Sequence, residues 1–173
     1  PIVGGHTCYN SDSKALAVSI IGTAKRLLTS FNAQPSQRLL MAVDMSGAYY
    51  KKYPFWNAST SADSAALQRK KVLLSQIANQ GLATAATDIS MGGLFGTLAM
   101  LAHTSHVGFS IAFEDIVEAP DGDWVKWLTA FPSFGYILTC ASNQVEKIRH
   151  LFEAEQVVCR DIGSVTAGPT IYI

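Results

Sequence analysis

The stretch Asp88-Ile89-Ser90-Met91-Gly92-Gly93-Leu94 places a carboxylate, a hydroxyl and paired glycines within one short span. Paired glycines let a backbone turn tightly and approach a ligand, because no Cβ stands in the way. They fall where a strand-like run, Ala83 to Thr87, hands over to an apolar helical run from Leu94 to about Thr104. At such a junction the first N–H groups of the helix lack intrahelical acceptors and point outward with a positive dipole. A phosphate or carboxylate fits there, with Ser90, Gly92 and Gly93 as its contacts. Asp88, the candidate catalytic residue, can cap the helix, hold a hydrated Mg²⁺ or accept a substrate hydrogen bond. The same pattern also serves packing alone, and on residue types the ligand site and the structural cap stand level.

A second set of chemistry-bearing residues, Asp44, Ser46 and Asn57, lies in the polar, aromatic segment from Asp44 to Ser61. These three are candidate substrate contacts; as the alternative, they are turn formers that bond their own backbone. A connection this long in a compact domain is functional or mobile, and its tyrosines, Phe55 and Trp56 argue against simple disorder. Function is the favoured reading. His6, beside Gly4-Gly5, faces phosphate or metal, or merely forms a turn. His103 and His106 are three apart, but no carboxylate or cysteine completes a metal set nearby, and a helix C-terminus favours histidine through its dipole. Trp124 and Trp127 read as core or interface anchors. No Ser-His-Asp or Cys-His set is evident.

Several elements must position these groups. Lys14 to Ala24 is β-branched and apolar, which predicts a strand, and Arg38 to Val43 predicts a second strand buried on both faces. Thr60-Ser61-Ala62-Asp63 has capping-box spacing ahead of a helix whose apolar residues are Ala66, Leu67, Leu73, Leu74, Ile77 and Ala78, stopped by Gly81. Gly108 to Phe113 reads as a strand, and Asp121-Gly122-Asp123 opens a short helix. Gly135 to Ala141 is a strand, and Ser142-Asn143 caps a helix carrying Val145, Ile148, Leu151 and Phe152. Val157 to Cys159, Asp161 to Val165 and Thr170 to Ile173 predict closing strands. Strands in runs between segregated helices give an α+β sheet with helices packed on it.

Bulk properties narrow the function. With 173 residues and 49% apolar content, the chain suits one domain with a sizeable core. Lys plus Arg equal Asp plus Glu at 13 each, so no global field draws nucleic acid or an anionic membrane, and we expect neither as a partner. Cys8, Cys140 and Cys159 form no C-x-x-C pair and read as small buried hydrophobes in a reducing, cytoplasmic protein. The chain begins at Pro1, inside Ile2-Val3-Gly4-Gly5-His6-Thr7, and is expected to be part of a longer protein.

The pattern Asp88-Ile89-Ser90-Met91-Gly92-Gly93-Leu94, continued by Gly96-Thr97-Leu98 and Val107-Gly108, resembles the signature of the C-terminal domain of the AIR synthase-related superfamily. That group includes aminoimidazole ribonucleotide synthase, formylglycinamidine ribonucleotide synthetase, selenophosphate synthetase, thiamine-monophosphate kinase and a hydrogenase maturation protein. Gly4-Gly5-His6-Thr7 looks like the segment that ends the family's N-terminal ATP-binding domain, and Gly163 resembles a glycine of its closing strand. Val43-Asp44-Met45-Ser46-Gly47, Trp56-Asn57-Ala58 and Trp127-Leu128 with Phe131-Pro132-Ser133-Phe134-Gly135 are similar to a bacterial subgroup of AIR synthase-related proteins.

The resemblance implies a three-layer α/β/α sandwich with partial ferredoxin-like topology over residues 14–173, preceded by the tail of an ATP-binding domain over residues 1–13. It implies an acceptor-substrate-binding domain of an ATP-dependent phosphoryl-transfer or ligase-type enzyme, with Gly4, Gly5, His6 and Thr7 as nucleotide contacts. ATP and Mg²⁺ belong to the full-length protein, which pairs as a homodimer; a small molecule is the substrate. No cofactor is expected to bind this chain tightly, and alone it is expected to be inactive. A non-catalytic binding or scaffolding module that keeps the fold is the second reading. Met91 stands where thiamine-monophosphate kinases carry a second aspartate, which counts against that kinase activity.

Overall fold

Strand β1, Arg38–Val43, is the centre of the molecule, and its alternation explains the layers around it. Leu39, Met41 and Val43 enter one buried cluster, whereas Leu40 and Ala42 enter another. Successive side chains point to opposite faces of a strand, so a strand apolar at every position requires cover on both sides. The computed structural model describes residues 17–173 and supplies that cover with helices above and below.

After β1 come two short strands, β2 (Ala48–Tyr49) and β3 (Phe55–Asn57), then helices α1 (Ser64–Lys70) and α2 (Leu73–Gln80). Strand β4 (Ala85–Asp88), helix α3 (Gly93–Ser105) and strand β5 (Val107–Ile111) follow. Then come helix α4 (Trp124–Leu128) and strands β6 (Phe131–Pro132) and β7 (Gly135–Cys140). Helix α5 (Val145–Glu153) and strands β8 (Val158–Ala167) and β9 (Ile171–Tyr172) close the chain.

The main sheet runs β4-β7-β1-β8-β5-β9. Its first five strands are antiparallel neighbours, and β9 adds parallel to β5. β1-α1/α2-β4 straddles β7, and β7-α5-β8 straddles β1; these interleaved split βαβ units are the ferredoxin-like part. Ile77 of α2 and Phe152 of α5 both fill the cluster below the sheet. The segment α3-β5-α4 is inserted between β4 and β7; its helices cover the opposite face through Leu94, Leu98, Leu101 and Trp127. That gives the expected three layers. A second sheet, β2-β3-β6, packs on the same side through Trp56.

Local expectations are corrected in several places. Ser142 and Asn143 form a 3-10 turn and do not cap α5, whose cap position is Gln144 without a side-chain hydrogen bond. The one helix expected from Ala66 to Ala78 is two, α1 and α2, broken at Lys71 and Val72. The strand expected over Lys14 to Ala24 is not present over residues 17–24, where Val18, Ile20 and Ile21 are 71%, 88% and 100% exposed. A strand needs a partner, and at the outer edge of β4 it is Thr29 whose carbonyl accepts from Ala86 N at 3.0 Å. Residues 14–16 and the domain boundary expected after residue 13 lie outside the described residues. Asp63 caps α1 itself, its carboxylate accepting from Ala66 N at 2.9 Å, so Thr60 is not the cap. The two runs expected over Val157 to Cys159 and Asp161 to Val165 are one ten-residue strand, β8. The register against β1 slips between Leu39 and Leu40, so β8 bulges beside Gly163 rather than breaking. A Cβ on Gly163 would lie 2.0 Å from the Ser110 carbonyl oxygen of β5, which is why glycine is required there.

Cys140 and Cys159 are buried free thiols, as their apolar context predicts, and Cys8 lies outside the described residues. Burial, aided by nearby Asp161 and Glu153 respectively, pushes both up to about 12 from an ordinary 9.0. A folded value above the unfolded one means the native state keeps its protons longer. The associated stability is therefore complete below pH 9 and is lost as pH rises towards 12. We expect iodoacetamide at pH 8 to leave both thiols unmodified until denaturant unfolds the chain, and the unfolding midpoint to fall between pH 9 and 11. Rapid labelling of either thiol in the native state would contradict this burial.

Candidate functional site

β1, β4 and β5 are each antiparallel to β7 or β8, so all three run the same way and end at one edge of the sheet. The segments carrying Asp44 and Ser46, and Asp88 to Gly93, both leave the sheet there. Asp44 N donates to Phe134 O and Ile89 N to Gly135 O, each at 2.9 Å. The two sequence-predicted segments therefore flank the start of β7.

Asp44 is fully buried. Lys70 Nζ of α1 donates to its Oδ2, and Ser46 donates to Oδ1 through both backbone N (3.0 Å) and Oγ (2.6 Å). Trp56 Nε1 donates to the Asp44 carbonyl at 2.9 Å. Asp44 is thus no direct substrate contact: its carboxylate is enclosed and spent on Lys70 and Ser46. Ser46 is exposed. With its hydroxyl proton committed inward, Oγ presents only lone pairs to solvent and acts as an acceptor. Lys70, 6% exposed, is the residue that sequence reasoning missed. Its signal was present, because position 70 continues the apolar stripe of Ala66, Leu67, Leu73, Leu74 and Ile77. A lysine in such a stripe is buried only if it is paired.

The Asp88–Leu94 junction is built as a strand-to-helix turn. Gly93 has φ +64, and a Cβ there would lie 2.3 Å from Leu128 O and 2.7 Å from Thr129 Cα at the end of α4. Gly93 is therefore required for packing α3 against α4, and its N–H donates to Ser90 O at 2.8 Å. Ser90 N donates to Oγ1 of the buried Thr97 at 3.3 Å, a second contact that sequence reasoning did not identify. Gly92 occupies the cap position of α3 without any side-chain cap. Asp88 is accordingly not the cap. It is exposed at the end of β4 opposite Tyr136, whose phenol is raised above its ordinary range by burial and then by the Asp88 charge.

Residues 39–173 match the family described as AIR synthase related protein, C-terminal domain. The chain belongs to that family. An uncharacterized protein of Synechocystis sp. is 39% identical over 170 residues, covering 97% of the chain and 52% of that protein. One of Methanocaldococcus jannaschii is 34% identical over 176 residues, covering 100% of the chain and 54% of that protein. The chain thus spans about half the length of the curated relatives it matches. Among solved structures, phosphoribosylformylglycinamidine synthase II of Thermotoga maritima superposes with TM-score 0.68 at 15% identity, over 85% of this chain and 25% of that one. Thiamine-monophosphate kinase of Stenotrophomonas maltophilia superposes with TM-score 0.57 at 16% identity, over 86% and 53% respectively. These likenesses establish the shared fold.

In this AIR synthase related domain Asn57 works inside its own turn: Oδ1 accepts from Ser59 N at 3.2 Å and Thr60 N at 3.1 Å, and Nδ2 donates to Thr60 Oγ1 at 2.9 Å. That is the turn-forming alternative. Trp127 is a core anchor, as expected, with Nε1 donating to Val117 O at 2.7 Å. His106 ends α3 in a left-handed conformation. Gly4, Gly5, His6 and Thr7 lie outside the described residues. Among the described residues no group of three or more His, Cys, Asp or Glu side chains is placed to hold a metal ion. No helix among them is long and apolar enough to cross a membrane.

Removing one partner of a buried ion pair strands the other charge, at about 3–5 kcal/mol. We expect Lys70→Met to lose about that much stability in urea unfolding, and Asp44→Asn with Lys70→Met to recover at least half. A loss for Lys70→Met under about 1 kcal/mol would show that the pair is solvated.

Proposed function

We propose that this domain is the acceptor-binding half of an ATP-dependent phosphoryl-transfer or ligase-type enzyme of the AIR synthase related family. The observation that carries the reading is the placement of two segments, Asp44–Ser46 and Asp88–Leu94, on either side of the start of β7. One side offers the first amides of α3 with their positive dipole; the other offers the acceptor oxygen of Ser46. Solved relatives of the fold support it: Thermotoga maritima PurL has been captured with ATP, ADP and FGAR, and a thiamine-monophosphate kinase shares the architecture.

In this reading the amides of Gly92 and Leu94 hold an anionic group of the acceptor, with Ser90 beside them. Gly93 serves by its lack of a side chain. Asp88 is the exposed carboxylate that accepts a substrate hydrogen bond or supplies one oxygen to a Mg²⁺ ion held mainly by the N-terminal half. Phosphoryl transfer rests on positioning and charge stabilisation more than on a protein nucleophile, in keeping with this residue set. Asp44 acts at one remove, by orienting Ser46, and Asn57 holds the loop beside it. ATP, the nucleotide contacts Gly4 to Thr7, and the homodimer belong to the full-length enzyme.

The test uses full-length protein. Phosphate should shift the amide signals of Gly92 and Leu94 with millimolar affinity, as suits an exposed helix start contributing about 1 kcal/mol. Asp88→Asn should slow ATP turnover by about 100-fold or more without altering the unfolding midpoint. Unmoved amides at tens of millimolar phosphate, with full turnover in Asp88→Asn, would leave the junction a packing device.

A further inference from the structure

The small sheet β2-β3-β6 has two faces, and only one is used by the core. Tyr49 pairs with Trp56 on the inner face, where Trp56 meets Trp127 edge-on with ring centroids 5.7 Å apart. By alternation the next residues, Tyr50 and Phe55, face outward. There Phe55 stacks on Phe131 at 5.3 Å and 19°, and Tyr50 meets Phe55 at 6.4 Å. A turn closed by Tyr53 N donating to Tyr50 O at 3.1 Å brings the Tyr53 ring to 6.4 Å from Tyr50, within 14° of parallel. The result is a continuous aromatic strip, Tyr53-Tyr50-Phe55-Phe131, in which Tyr53 and Tyr50 are 51% and 45% exposed.

Charge decides what such a strip suits. From Met45 to Ala62 the only charged side chains are Lys51 and Lys52, both exposed at the turn. Lys51, at φ +54, holds its Nζ 5.1 Å from the Tyr50 ring centroid. The whole chain is neutral, so this is a local cationic tip on an aromatic face rather than part of a basic surface. Flat aromatic rings bind planar π-systems by stacking, and lysines beside them bind phosphate as point charges.

We propose that this strip is a binding site for a 5′-nucleotide, its base stacked on Tyr50 and Tyr53 and its phosphate beside Lys51 and Lys52. The site uses none of Asp88, Ser90, Gly92 or Ser46 and stands independently of the acceptor edge.

The experiment titrates adenosine 5′-monophosphate into the full chain while following the ring signals of Tyr50 and Tyr53 and the amides of Gly92 and Leu94. Parallel titrations use adenosine and inorganic phosphate. AMP should move the tyrosine rings, and Tyr50→Leu or Tyr53→Leu should weaken it about tenfold. Tyr53→Leu lies in the turn, outside the strands, and keeps the result interpretable if Tyr50→Leu folds poorly. Lys51→Asn, which tolerates the left-handed backbone, combined with Lys52→Gln should reduce AMP affinity to that of adenosine and abolish its salt dependence. Phosphate alone should leave the rings unmoved whatever it does to Gly92. The proposal is overturned if roughly 10 mM AMP leaves both rings unmoved. It is equally overturned if both leucine variants bind AMP as the parent does, or if sedimentation shows two copies sealing the strip in a dimer that Tyr50→Leu dissolves.

Discussion

β1 is apolar on both faces and runs directly into a carboxylate with no path to solvent. A buried charge without a partner is intolerable, so Asp44 constrains whatever packs around it. Helix α1 must lie where Lys70 can reach Oδ2, although that places an ammonium in the apolar stripe of the helix. The Asp44 carbonyl fixes Trp56, and Trp56 in turn carries the small sheet against Trp127. Oδ1 fixes Ser46 by two hydrogen bonds. One ionised group thereby sets the position of α1, of β3 and of the hydroxyl presented at the edge.

Strand direction supplies the rest of the arrangement. Interleaving two split βαβ units forces β1 and β4 to finish at the same edge, separated by one strand. The inserted helix α3 leaves β4 at that edge, so its first turn and Ser46 leave the sheet on opposite sides of β7. The approach of α3 to α4 is close enough that only glycine fits at position 93. Packing and the left-handed backbone therefore decide the residue at this turn, and any ligand that approaches it meets a glycine set by the fold.

Much of this was legible in the sequence because the periodicities were strong. The all-apolar run of β1 announced two-sided burial, the pattern from Ala66 to Ala78 announced helix but not the break between α1 and α2, and Gly81 ended the latter in the left-handed conformation expected of it. What failed did so where long-range partners decide. The run ending at Ala24 has the composition of a strand, yet composition cannot supply a neighbour, and residues 17–24 stand exposed. Asn57 had the right type for substrate recognition but spends its carboxamide on Ser59 and Thr60. Asp44 had the type of a substrate contact, but its burial depends on Lys70, 26 residues away, and no local pattern joins the two.

The edge also limits what an acceptor must look like on the proposed reading. Its α3 side offers N–H donors, which favour a negative charge, whereas Ser46 offers an oxygen whose proton is already given to Asp44. A ligand bridging the two needs an anionic group at one end and an N–H or O–H donor at the other. A fully deprotonated anion such as sulfate satisfies only the first condition, since a sulfate oxygen facing Ser46 Oγ would set acceptor against acceptor. Sulfate affinity alone therefore underestimates this edge, and a molecule that joins both functions on one frame gains the second contact without a second loss of translational freedom.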